Sequence, residues 1–160
     1  MNQFKLIRFF LVSLFFISVS LYSYGQRLTL DELLKFNSLD VIGIKKSLKA
    51  KGYTLIKIDQ QVHGNLAYHW ESKDQSDFTK IKSIMFRVLD LDEEMTTLSY
   101  SFYSEEEYKS FENEVKKKGF KFLKTTDASF TSYVEYKKGK IGVTLYKEQG
   151  GQSYTVAVSD

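Results

Sequence analysis

Cysteine and proline are both missing from this 160-residue chain, tryptophan occurs once and histidine twice. Without cysteine there is no disulfide framework, no thiolate nucleophile or zinc ligand, and no N-terminal cysteine to carry a lipid. Stability therefore has to come from a packed hydrophobic core, which a domain of this size supplies unaided. Without proline, no proline-rich linker divides the chain. Long apolar runs are scarce as well. Residues 9–21 form a 13-residue apolar run broken only by serines, short of the ~20 residues that a spanning helix needs.

The usual catalytic signatures are absent too. The chain has no Gly-x-Ser-x-Gly elbow, no Ser-x-x-Lys and no Gly-x-Gly-x-x-Gly. His63 and His69 stand six residues apart across a predicted turn; zinc ligands are usually spaced more tightly, so the pair reads as one loop and one strand histidine. The acidic cluster Asp90, Asp92, Glu93 and Glu94 lacks the alternating oxygen ligands and the glycine of a calcium loop, and reads as a solvated connection. No catalytic residue, metal or cofactor is assigned.

What is present begins with a leader. Lys5 and Arg8 precede the apolar run, and Ser23 and Gly25 supply small residues at −3 and −1 for cleavage after Gly25. That layout predicts a secretory signal peptide over 1–25, export to the periplasm or the medium, and no stable membrane span after cleavage. Losing Lys5 and Arg8 lowers the formal net charge from +3 to +1. A charge so balanced implies neither a nucleic-acid partner nor an anionic membrane surface.

Two stretches then repeat one pattern: KAKGYTLIK at 49–57 and KKKGFKFLK at 116–124. Upstream of the first, Val41, Ile44 and Leu48 recur at helical spacing, with Asn37-Ser38 offering an N-cap. Upstream of the second, Ser104 and Glu107 form a capping-box pattern ahead of Tyr108, Phe111 and Val115. Acidic residues crowd the first turn there and lysines the last, complementing the helix dipole. Gly52 and Gly119 sit where each helix must stop in a left-handed residue. The lysine-flanked glycine is thus a helix stop rather than a phosphate site. An earlier capping box, Thr29 with Glu32, predicts a short helix at 30–36.

After each glycine come four strand-like runs: 53–58, 66–71, 82–89 and 97–103, then 120–124, 132–136, 141–147 and 153–159, with turn signals such as Lys138-Gly139 between them. The chain therefore divides into a signal peptide (1–25), a helical lead-in (26–37) and two α-β4 units (38–103 and 104–160), offset by 67 residues from Gly52 to Gly119. Leu66, Tyr68 and Trp70, like Leu98, Tyr100 and Phe102, alternate with milder residues, the mark of an antiparallel sheet covered on one side. The expected fold is α+β: two tandem α-β4 units forming one curved antiparallel sheet of about eight strands, with helices on one face. In 82–89, Ile84, Phe86 and Val88 fill one row while Met85 and Leu89 flank Arg87 on the other.

This order of elements, with two helix–glycine–aromatic junctions, resembles the beta-lactamase-inhibitor-protein-like tandem fold over about 38–159. The leader and the helix–KGF–strand junction are also similar to small secreted proteins of the Bacteroidetes. Neither resemblance carries a functional residue across. Missing catalytic motifs and an inhibitor-like fold together predict a non-catalytic binding module. It would be a monomer or weakly self-associating, and would use the open face of the sheet against an unknown protein or envelope component, with His69, Arg87 and Tyr136 as candidate contact residues. The alternative is a small-ligand carrier or enzyme with a pocket between sheet and helices.

Overall fold

Each helix starts where a side-chain oxygen takes up the free amides of its first turn. A computed structural model describes residues 27–60, 66–73, 81–89, 96–150 and 153–160; the proposed leader, His63 and the acidic cluster at 90–94 lie outside them. In helix α1 (Leu30–Asn37) the Thr29 hydroxyl accepts from the Glu32 amide at 3.3 Å, and the Glu32 carboxylate accepts from the Thr29 amide at 2.9 Å. That is the full capping box expected from the sequence. Helix α2 (Val41–Ala50) corrects one expectation. Its cap is Asp40, whose Oδ1 accepts from the Gly43 amide at 2.8 Å, while Ser38 closes α1. Asp40 directly precedes the buried stripe of Ile44 and Leu48, so it is the residue in reach of the first free amides.

In helix α3 (Glu105–Lys117) the Ser104 hydroxyl accepts from the Glu107 amide at 3.2 Å. The Glu107 carboxylate is drawn elsewhere and accepts from the Tyr100 hydroxyl at 2.9 Å. Gly52 and Gly119 end α2 and α3 with φ of +83° and +78°, the left-handed region that other L-residues enter only with strain. Behind Gly119, the Phe120 amide reaches back to the Val115 carbonyl at 3.2 Å, the long bond of a Schellman stop.

The strands are β1 (Tyr53–Gln60), β2 (Leu66–Lys73), β3 (Ile81–Leu89), β4 (Thr96–Phe102), β5 (Lys121–Asp127), β6 (Thr131–Lys138), β7 (Ile141–Glu148) and β8 (Tyr154–Ser159). The protein is α+β, with antiparallel ladders in the order β1-β2-β3-β4-β8-β7-β6-β5. Two meanders thus meet where β4 pairs with β8, Ser99 opposite Ala157. The β1–β2 ladder slips between Leu55 and Lys57, and the β5–β6 ladder slips between Phe122 and Lys124. Both bulges fall at the 67-residue offset that separates the two glycines.

The core lies on one side of the strands. Leu98, Tyr100 and Phe102 of β4 and Tyr154, Val156 and Val158 of β8 are buried, and share one cluster with Leu30, Leu33 and Phe36 of α1, Ile44 and Leu48 of α2, and Phe111 and Val115 of α3. Phe102 stacks on Phe111 and Tyr154, with ring centroids 5.5 and 6.0 Å apart. The alternate row, Thr97, Ser99 and Ser101 with Thr155, Ala157 and Ser159, is only half-buried. Successive side chains of a strand point to opposite faces. All three helices among the described residues pack on the apolar row, and the hydroxyl-rich row forms the other face.

Candidate functional site

The helix-free face carries an open trough of about 340 Å³ across β4, β8, β7 and β6. Thr97 and Ser99 line it from β4, Ser153, Thr155 and Ala157 from the β8 side, Tyr146 and Glu148 from β7, and Thr131 from β6. Strand alternation turns these six hydroxyls and one carboxylate away from the helices, and ladder register sets them side by side. Ser101 and Thr155 bond each other through their hydroxyls at 2.8 Å, which holds the adjoining part of the β4–β8 seam in place.

At the edge of the trough, the lining residue Tyr146 faces Tyr133 across β6 and β7 with ring centroids 5.5 Å apart. Burial pushes the Tyr146 hydroxyl above its ordinary value; a hydrogen bond with Thr144 opposes this, while Glu135 and Tyr133 add to it. Tyr146 is therefore a neutral donor and acceptor at physiological pH. Glu135, in the same row of β6, lies 3.4 Å from Lys124. The surface thus combines hydroxyls, half-buried aromatic rings and the Glu148 carboxylate, with a Lys124–Glu135 ion pair nearby.

The three residues singled out from the sequence do not converge. His69 lies on the helix-free face, near the β1 edge, opposite Lys57. Its Nε2 is 3.2 Å from Asp59 Oδ2, and Asp59 Oδ1 is 2.8 Å from Lys57 Nζ. Tyr136 is 4% exposed, belongs to the core cluster and meets Phe122 edge to face at 6.1 Å; it sits under the helices and offers nothing to the open face. Arg87, on β3, has its backbone opposite Tyr68 and Leu98. That is the row of the helix-covered side, whereas Phe86 stands in the row of His69 and Ser99.

Residues that sequence reasoning missed are Tyr133, Tyr146, Thr131 and Thr155. The available signal was the alternation of 131–137, which puts Thr131, Tyr133 and Glu135 in one row and Tyr136 in the other.

On the helix side, the notable polar group is Glu107, whose side chain is 16% exposed. Burial raises its proton affinity above the ordinary carboxylate value, against the lowering effects of the Tyr100 hydroxyl and of Arg27. Arg27 Nε is 3.4 Å from Glu107 and Arg27 Nη2 is 3.7 Å from Glu114, whose other oxygen accepts from the Leu30 amide at 3.0 Å. The Arg27 guanidinium also lies 5.5 Å from the centroid of the Phe111 ring. This cluster ties the segment ahead of α1 to α3, and every group in it has a structural partner. Among the described residues no group of three or more His, Asp or Glu side chains is arranged to hold a metal ion.

No protein-family model matches the chain, and no curated protein or solved structure matches it either.

Proposed function

We propose that this is an exported binding module that meets a protein partner through the helix-free face of its sheet. The observation that carries the reading is the trough at the β4–β8 seam: about 340 Å³, open, hydroxyl-lined and flanked by a tyrosine pair. Tyrosine and small hydroxylated residues suit protein recognition because they give contact area and hydrogen bonds at little conformational cost. The leader-like residues 1–25 support export.

The proposal includes descent from one duplicated α-β4 unit. The shared 67-residue offset of two left-handed glycines and two bulges supports it, as does the mirrored strand order about Ser99 and Ala157. The same order is what the beta-lactamase-inhibitor-protein-like fold would require; that likeness speaks to architecture and not to a partner.

The test is crosslinking of the tagged protein in a bacterial envelope and medium, followed by identification of what is captured in stoichiometric amount. Thr155→Arg fills the trough and abolishes the capture, while Lys109→Glu on the outside of α3 leaves it intact. Capture that survives Thr155→Arg would overturn the open-face reading.

A further inference from the structure

On the opposite side of the sheet, between α2 and the β1–β2 edge, lies a second cavity, of about 320 Å³, lined by Lys45, Lys49, Tyr53, Thr54, Leu55 and Trp70. Two of its features are unsatisfied among the described residues. Trp70 is 1% exposed, yet its indole Nε1 has no acceptor. Buried donors are paired in the great majority of cases, and an unpaired one is costly. Lys45 and Lys49 stand one helical turn apart, both exposed, with no acidic side chain among the described residues paired to either. Like charges at this spacing repel and weaken a helix.

The second half of the chain resolves the same problem internally. At the 67-residue offset, Glu112 and Lys116 replace Lys45 and Lys49 and pair at 2.6 Å. By ladder register Tyr136 stands in the place of Trp70, since Leu55 faces Trp70 and Phe122 faces Tyr136. One half pairs these two positions as an ion pair; the other lines a cavity with two lysines and with the tryptophan whose buried indole N–H is unpaired.

We propose that this cavity binds a small carboxylate with an apolar body, such as an arylacetate. The carboxylate would accept from Trp70 Nε1 and sit against the Lys45 and Lys49 ammonium groups. Leu55 and the Tyr53 and Trp70 rings would cover the apolar part. The volume lies in the range of small-ligand sites, and the site is independent of the open-face reading.

Because the chain has a single tryptophan, its indole N–H resonance reports on this cavity alone. Titrating the purified protein with phenylacetate moves that resonance saturably, and phenylacetamide, which is neutral and of the same shape, binds far more weakly. Lys45→Glu, which copies the arrangement of the second half, weakens phenylacetate roughly ten- to hundredfold, the worth of a charge-assisted hydrogen bond. Lys49→Gln weakens it in the same direction, and Thr155→Arg on the other face has no effect. No saturable shift, equal binding of acid and amide, or unchanged affinity in Lys45→Glu would each overturn the proposal.

Discussion

Replacing Gly52 or Gly119 with alanine isolates a single physical term. At both positions an added Cβ meets no atom within 4 Å, so the substitution creates no clash and the whole cost lies in the backbone. With φ of +83° and +78°, an L-residue there costs about 1–2 kcal/mol. Alanine also restricts the unfolded chain, which offsets about 0.4–1 kcal/mol. Each substitution therefore destabilises the protein by ~1 kcal/mol, about 3–5 °C in Tm for a domain of this size.

The two glycines lead into β1 and β5, the strands at opposite ends of the strand order. Their effects should add to ~2 kcal/mol in the double variant, as for independent sites. Asparagine, which tolerates the left-handed region, costs less than alanine at either place. The assay is urea denaturation followed by far-UV circular dichroism, with an unchanged m-value expected because the exposed surface does not change. A net stabilisation at either glycine would mean that the helix end relaxes out of the left-handed conformation. A cost above ~3 kcal/mol could not come from backbone strain alone. A marked inequality between the two sites would remove the equivalence on which the duplicated-unit reading rests.

Other expectations follow from the same geometry. Tyr100→Phe deprives the half-buried Glu107 carboxylate of its 2.9 Å donor and should cost about 1.5–3 kcal/mol in urea denaturation, the range for hydrogen bonds to charged groups. Glu107 is also a pH probe. Its folded pKa is raised, chiefly by burial, so the folded state holds that proton more tightly than the unfolded chain. Its contribution is full below the ordinary carboxylate value and is lost as pH rises through the raised folded value. Glu107→Gln should flatten that part of the stability profile, and identical slopes in both proteins would contradict the assignment. Asp40→Ala should cost about 0.5–2 kcal/mol through the lost α2 cap, whereas Asn37→Ser should leave the α2 cap intact; amide exchange at Gly43 separates the two.

Much of this architecture is legible from neighbouring residues. Caps, helix stops and strand alternation are local devices: Thr29 with Glu32, Ser104 ahead of α3, and glycine after a lysine-rich last turn all act within a few positions. The strand runs read from the sequence fall within a few residues of the observed ones for the same reason. Where two local signals compete, reach decides, as Asp40 rather than Asn37-Ser38 shows at the start of α2.

Faces are harder, because alternation separates two rows without saying which one the helices cover. Ile84, Phe86 and Val88 look like an inward row, yet register aligns them with Glu71, His69 and Ala67 on one side and Ser101, Ser99 and Thr97 on the other, while Arg87 shares a row with Tyr68 and Leu98. Tyr136, one position from Glu135, falls under the helices by the same parity. Bulges at Ile56 and Leu123 shift that parity midway along each edge ladder, and nothing local announces them.

By itself, the sequence determined the α+β class, the caps of α1 and α3 at Thr29 and Ser104, and the glycine stops after α2 and α3, because each depends on residues within about a turn of one another. Only the tertiary structure decided which strand rows lie bare, that six hydroxyls gather in one trough, and that two lysines share a cavity with an unpaired indole. Those arrangements come from ladder register and helix docking, which join residues far apart in the chain, and no short-range pattern encodes them.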